Sequence, residues 1–150
     1  MRNDANNEPK RILFLCTGNY YRSRFAEIFF NWLARKRGLG WTADSRGLAL
    51  DGCNYGPISR YTVACLKEKG IAVDNDYRFP IQVQEADLAA ADHIVAVKEA
   101  EHRPLFESRF PAWCDRVEYW HVHDLDCATP DAAVPQLEGE VERLLERLAA

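Results

Sequence analysis

Eight residues, Cys16-Thr17-Gly18-Asn19-Tyr20-Tyr21-Arg22-Ser23, put five residues between a thiol and a guanidinium, with a hydroxyl beside the latter. A thiolate is a strong nucleophile, and it is favoured at helix N-termini and next to arginine. Arginine keeps its charge and presents a planar fork that fits two phosphate oxygens. Gly18 and Asn19 both tolerate left-handed backbone angles, so a turn here can point successive N–H groups inward. A helix starting after the turn adds its own unpaired N–H groups and its positive dipole end. The set predicts an anion cradle over a nucleophile. Cys16 would attack phosphorus in line, while Arg22 and the amides hold the equatorial oxygens. Ser23 would donate to the sulfur, and water would cleave the resulting phosphocysteine. With five cysteines and fourteen arginines in 150 residues, the bare spacing is common. What distinguishes this pair is its place between a strand and a helix. The competing reading is a buried core thiol on an ordinary turn, because free cysteine is among the most buried residue types.

The elements that must position this turn follow from hydrophobic periodicity. Arg11–Leu15 reads as a short buried strand. Phe25, Ile28, Phe29, Trp32 and Leu33 fall at i, i+3, i+4, i+7 and i+8, one helical stripe ended by Gly38 and Gly40. Trp41–Ser45 reads as a second strand. Pro57 suits the first turn of a helix whose stripe is Ile58, Tyr61, Thr62, Cys65 and Leu66, closed by Gly70. ADLAAAD suggests a short helix, His93–Val97 a third strand, and Val117–Val122 a fourth. KEAEHRPLFESRF is helical in composition, with Pro104 expected to kink or split it. Val134, Leu137, Val141, Leu144, Leu145 and Leu148 stripe a last helix. Alternating strands and helices predict an α/β fold, a parallel sheet with helices on both faces. Ligands in such sheets bind beyond the carboxyl ends of the strands, where Cys16 stands.

The remaining composition narrows the class. A chain of 150 residues is expected to be one domain, residues 11–150, behind a flexible polar tail over residues 1–10. The net charge of −4 argues against nucleic acid or a membrane surface as partner. No apolar run reaches the roughly 20 residues of a membrane span, and the first ten residues lack an apolar signal core. Five scattered cysteines fit reduced thiols, so a cytoplasmic setting is expected. His121, His123 and Asp124 share one neighbourhood that could form a metal corner, but they are fewer than a structural zinc site wants, and no metal or other cofactor is expected. Cys65 lies on a core stripe. Cys53, Cys114 and Cys127 read as structural or exposed.

The segment LFLCTGNYYRSRFAEIFF resembles the signature of the low-molecular-weight protein tyrosine phosphatases: Cys, any residue, Gly, Asn, any residue, Cys, Arg, Ser, Pro. Cys16, Gly18, Asn19, Arg22, Ser23 and the Ala26–Glu27 pair match in register. The likeness continues through DSRGL, LKEKGI, ADHIVAV and the C-terminal loop and helix, covering nearly all of residues 11–148. It implies a three-layer α/β/α sandwich around a four-stranded parallel sheet in the order 2-1-3-4, the flavodoxin-like phosphotyrosine phosphatase I fold. It also implies metal-free hydrolysis of phosphorylated protein side chains or small phosphomonoesters, phosphotyrosine first, with protein phosphoarginine as the alternative. The expected state is a monomer or weak dimer. Thr17, Gly18, Asn19, Tyr20, Tyr21, Arg22 and Ser23 form the expected phosphate-binding set.

Three departures bear on substrate choice. Tyr21 replaces the family's second loop cysteine, which argues against a neighbour-disulfide switch; Arg24 replaces its proline; and Tyr20 is bulky at a position that helps select substrate. The family's general acid is an aspartate, usually before proline, on the loop preceding the last helix. Asp124, four residues after Trp120, is expected in that role, with Leu125 in place of the proline and Asp126 as the alternative. Asp131 reads as a helix-start residue. Asp126 and Cys127 occupy the places of two family aromatics, so Tyr20, Tyr21 or Tyr55 would have to supply the wall around a phosphotyrosine ring. Arsenate reduction on the same loop needs resolving cysteines after the third strand, where this chain has Lys98 and no cysteine before Cys114. A phosphate-binding module with weak catalysis is the remaining alternative.

Overall fold

The computed structural model describes residues 10–50, 52, 56–71, 78–122 and 130–149, the backbone alone for 130–133. The described chain runs β1 (Lys10–Cys16), α1 (Arg22–Arg37), β2 (Trp41–Gly47), α2 (Arg60–Glu68), α3 (Glu85–Ala90), β3 (His93–Ala96), α4 (Glu99–Arg109), a 3-10 helix (Pro111–Arg116), β4 (Glu118–Tyr119) and α5 (Pro130–Ala149). The sheet has four parallel strands in the order β2-β1-β3-β4.

β1 reads as a continuous apolar run because helices cover both of its faces. Successive side chains alternate between them. Ile12, Phe14 and Cys16 join Phe25 and Phe30 of α1, Leu66 of α2, and Leu137, Val141 and Leu144 of α5. Leu13 and Leu15 join Leu88 of α3, Phe106 of α4 and Val117. Each large side chain removed from water in these layers contributes about 1.5–3 kcal/mol. The result is a three-layer α/β/α fold. The chain passes from β1 to β2 on one side, then crosses β1 to reach β3 on the other. The carboxyl ends of β1 and β3 therefore form the crevice where the winding reverses, the usual ligand position in such sheets.

α1 stops at Gly38, whose φ of 67° a side chain would oppose. Its N–H reaches Arg35 O at 3.2 Å, and Leu39 N–H reaches Ala34 O at 2.9 Å. The last helix buries the expected stripe, with Leu148 packed half-buried against it.

Local signals misjudged five features of the elements. β1 begins at Lys10, and β2 continues to Gly47 because its register with β1 pairs Gly47 with Cys16. α2 begins at Arg60 rather than near Pro57: Ser59 Oγ accepts from Tyr61 N–H at 3.2 Å and sets the start, leaving Tyr61 exposed. Pro104 does not split α4, which runs unbroken to Arg109. A proline there removes a single i→i−4 bond, and Phe106 anchors that stretch in the core. β4 pairs formally over only two residues, although Trp120 N–H and Val122 N–H still reach Ala96 O and Val97 O at 2.8 and 3.1 Å. No helix among the described residues is long and apolar enough to cross a membrane.

Candidate active site

Cys16 ends β1, and residues 17–21 turn directly into α1. The turn's carbonyls are taken from outside. Leu48 N–H reaches Cys16 O at 2.8 Å, Ala49 N–H reaches Thr17 O at 3.0 Å, Ser59 N–H reaches Tyr20 O at 2.9 Å, and Phe25 N–H reaches Tyr21 O at 2.9 Å. A planar trans peptide points the next N–H the opposite way. The N–H groups of Thr17, Gly18, Tyr21 and Arg22 are thus turned away from those partners. Between its ends the turn passes through the left-handed region once, at Asn19, with φ 52°. Gly18, expected to share that role, does not.

Asn19 is fully buried, and its side chain is saturated. Its Nδ2 donates to Ser23 Oγ and Ser45 Oγ, both at 2.9 Å. Its Oδ1 accepts from Arg78 Nη1 at 2.9 Å and Ile81 N–H at 3.1 Å. Four fixed partners hold a backbone angle that L-residues other than glycine and asparagine rarely adopt. Ser23 Oγ, having accepted from Asn19, keeps its own proton for Cys16 Sγ, 2.9 Å away. Gly47 lies under the turn. A Cβ there would stand 2.8 Å from Thr17 O and 2.6 Å from Leu50 Cδ2, so only glycine fits.

Beyond Asn19 lies a charged group. Glu27 Oε1 accepts from Ser45 Oγ at 2.6 Å and sits 3.6 Å from Arg78 Nη2 and 3.7 Å from Arg24 Nε. Burial raises its pKa, against the lowering by Ser45, Arg78 and Arg24. Arg24, where the resembled signature has proline, is buried and donates from Nη1 to Pro57 O and Arg78 O, each at 3.0 Å. It thereby ties α1 to both neighbouring segments.

On the opposite flank, the first turn of α4 meets the loop. Glu101 Oε2 stands 3.1 Å from Arg22 Nη2 and accepts from Thr17 Oγ1, while Glu101 Oε1 lies 3.5 Å from Arg22 Nη1. His102 is fully buried. Its Nδ1 accepts from Lys98 N–H at 3.1 Å, so the ring proton sits on Nε2, 3.2 Å from Glu101 Oε2 and from Thr17 Oγ1. Burial holds His102 below its ordinary value, the form that needs no second proton. The His102 hydrogen bond, joined by Thr17 and Arg22, holds Glu101 far below the usual carboxylate range despite its partial burial.

Residues 11–149 match the family described as low molecular weight phosphotyrosine protein phosphatase. The chain belongs to that family. It is a cysteine phosphatase of the protein-tyrosine-phosphatase type. A protein-arginine-phosphatase of Bacillus subtilis is 31% identical over 92% of this chain and 93% of its own. The human low molecular weight phosphotyrosine protein phosphatase is 32% identical over 67% of this chain and 63% of its own. The crystal structure of YfkJ from Bacillus subtilis superposes with a TM-score of 0.81 at 26% identity, over 95% of this chain and 96% of that one.

The phosphatase fold brings Cys16, Asn19, Arg22 and Ser23 into one turn. Thr17 points its hydroxyl at Glu101 rather than away from the protein. Tyr20 is half-buried and Tyr21 buried. Asp124, Asp126, Tyr55, His123, Cys53 and Cys127 lie outside the described residues. His121 is exposed, 3.6 Å from Glu99 Oε1. Among the described residues no three His, Cys, Asp or Glu side chains gather to hold a metal. Sequence reasoning passed over Ser45, Arg78, Glu101 and His102. The first stood inside the quoted DSRGL segment, where its burial could have been inferred from the strand. The other three carried no local signal.

Proposed function

We propose that this phosphatase hydrolyses phosphomonoesters on phosphorylated protein side chains, phosphotyrosine first, through a phosphocysteine. The observation that carries the reading is the Cys16 Sγ–Ser23 Oγ contact of 2.9 Å, at the carboxyl end of β1 and the mouth of α1. Amides turned away from the loop's outer partners and the Arg22 guanidinium cradle the three equatorial oxygens of the phosphoryl group. Cys16 Sγ forms a bond to phosphorus as the bond to the leaving oxygen breaks, and that oxygen takes a proton from Asp124, or from Asp126 as the alternative. Water then attacks the phosphocysteine, giving its proton to the same aspartate, and the sulfur leaves as a thiolate stabilised by the Ser23 proton. The half-buried Tyr20 offers an aromatic face to a phosphotyrosine ring. We assign the protein to the cytoplasm, in keeping with the free thiols of Cys16, Cys65 and Cys114.

A second reading, phosphoarginine as the physiological substrate, is favoured by the full-length relative named protein-arginine-phosphatase. Turnover of phosphotyrosine, phosphoarginine and phosphoserine peptides separates the two. The expected order is phosphotyrosine above phosphoarginine, with phosphoserine negligible. Faster phosphoarginine turnover selects the second reading. Cys16→Ser should abolish release of p-nitrophenol from its phosphate ester, and Asp124→Ala should slow it by about 10²–10⁴. Wild-type protein that binds phosphate but releases no p-nitrophenol overturns the reading.

A further inference from the structure

Glu101 is an anion beside an anion-binding site, and its pairing with Arg22, Thr17 and His102 offsets the repulsion it would otherwise exert on a bound phosphate. Its geometry suggests a role. A guanidinium has five N–H donors in a rigid plane. Glu101 meets the Nη end of Arg22, at 3.1 and 3.5 Å. The same carboxylate accepts from Thr17, the residue after the nucleophile, and from buried His102, whose tautomer is fixed by Lys98 N–H. It stands in the first turn of α4, where the helix dipole favours a negative charge. We propose that Glu101 is a positioning residue for phosphoryl transfer, which holds the Nη end of Arg22 so that the guanidinium meets the phosphoryl oxygens by its Nε side. The inference rests on the proposed role of Arg22 as phosphate binder.

This assignment differs from a salt bridge that only stabilises. Arg22 is buried and Glu101 only 27% exposed, and the attraction within such a pair is largely offset by the cost of desolvating it. The pair's value is angular. A planar group aimed wrongly by about an ångström loses up to 10²-fold in rate. Thr17 and His102 act one step further out, by fixing the carboxylate.

The test is steady-state turnover of p-nitrophenyl phosphate by wild type, Glu101→Gln and Glu101→Asp, alongside the Kd of inorganic phosphate and the Tm of each. Glu101→Gln keeps the shape and removes the charge. It should lower kcat about 10–100-fold while the phosphate Kd changes by less than about threefold. Glu101→Asp keeps the charge but retracts it by one methylene, and should fall between. In an Arg22→Lys background, where no fork remains to be aimed, Glu101→Gln should cost less than about threefold more. A Glu101→Gln kcat within twofold of wild type, a rise in kcat or a tighter phosphate Kd, or an equal loss in the Arg22→Lys background each overturns the proposal. Should Glu101→Gln fail to fold, Glu101→Asp carries the test, and full wild-type activity in it overturns the proposal. An inactive wild type overturns the functional reading as well; an active wild type with an unaffected Glu101→Gln removes this inference alone.

Discussion

Two glutamates flank the Cys16–Arg22 turn, and their surroundings push them in opposite directions. Glu27, behind Asn19 on the β2 side, is pushed above its ordinary value by burial, although Ser45, Arg78 and Arg24 lie close and pull it down. Glu101, on the β3 side, is held ionised by His102, Thr17 and Arg22. The difference lies in the donors. Glu27 receives one short hydrogen bond, from Ser45, and two long ion-pair contacts. Glu101 receives hydrogen bonds from three side chains, one of them charged. The β2 flank is thus a frame that keeps Asn19 in its left-handed angle. The β3 flank carries a permanent charge aimed at the guanidinium. Two carboxylates of one type serve the same loop differently because desolvation dominates at one and hydrogen bonding at the other.

The sharpest break of this comparison is Asn19→Ala. It removes four hydrogen bonds and puts alanine at φ 52°. Strain of about 1–2 kcal/mol and unmet buried groups at about 1–3 kcal/mol each give an expected loss of about 3–5 kcal/mol in urea unfolding. Asn19→Gly, which relieves the strain alone, should recover about 1–2 kcal/mol of it. A loss below about 1 kcal/mol for Asn19→Ala would mean that the frame does not hold the loop.

Gly47→Ala tests the same flank from beneath. The added carbon meets the Thr17 carbonyl at 2.8 Å, backbone that can yield only by shifting the Cys16–Arg22 turn. A cost of about 1–3 kcal/mol is expected, with a matching fall in p-nitrophenyl phosphate turnover. Full activity with unchanged stability would show a loop more pliant than its contacts imply.

The smallest effect separates the flanks by pH. His102 titrates in the folded protein below its ordinary 6.5, so below that pH the unfolded chain binds more protons and stability declines as pH falls. Glu27 titrates above its ordinary 4.5, so its contribution is full below 4.5 and fades as pH rises through the folded value. His102→Gln should therefore flatten the decline in denaturant midpoint as pH falls below 6.5. Glu27→Gln should gain relative to wild type as pH rises past 4.5. Parallel rather than opposite trends in the two variants would erase the distinction between the flanks.

Much of the fold was legible because its signals are local. A buried strand ending in cysteine, a stripe of Phe25, Phe29 and their neighbours, and a last helix striped from Val134 to Leu148 each declare themselves within a few turns. β4 was overestimated because Val117–Val122 has strand composition, yet at the sheet's edge the parallel ladder with β3 covers Glu118 and Tyr119, and His121 makes an isolated bridge to Lys98. Pro104 was overweighted because one missing hydrogen bond is small beside the burial of Phe106 and His102 on the same helix. The grouping of Cys16, Ser23 and Arg22 was legible for the same reason as the strand: they share one turn. Arg78 and Glu101 were not, since they meet Asn19 and Arg22 across 59 and 79 residues.

By itself the amino-acid sequence determined an α/β sheet, a thiol at the carboxyl end of its first strand, and a guanidinium six residues on, because hydrophobic period and turn chemistry act between near neighbours. Which of 23 acidic residues would face that guanidinium, and in which direction each titration would be pushed, only the tertiary structure decided. Those outcomes depend on how β3 and α4 pack beside β1, and on the burial and donors each carboxylate then meets, and no local pattern encodes either.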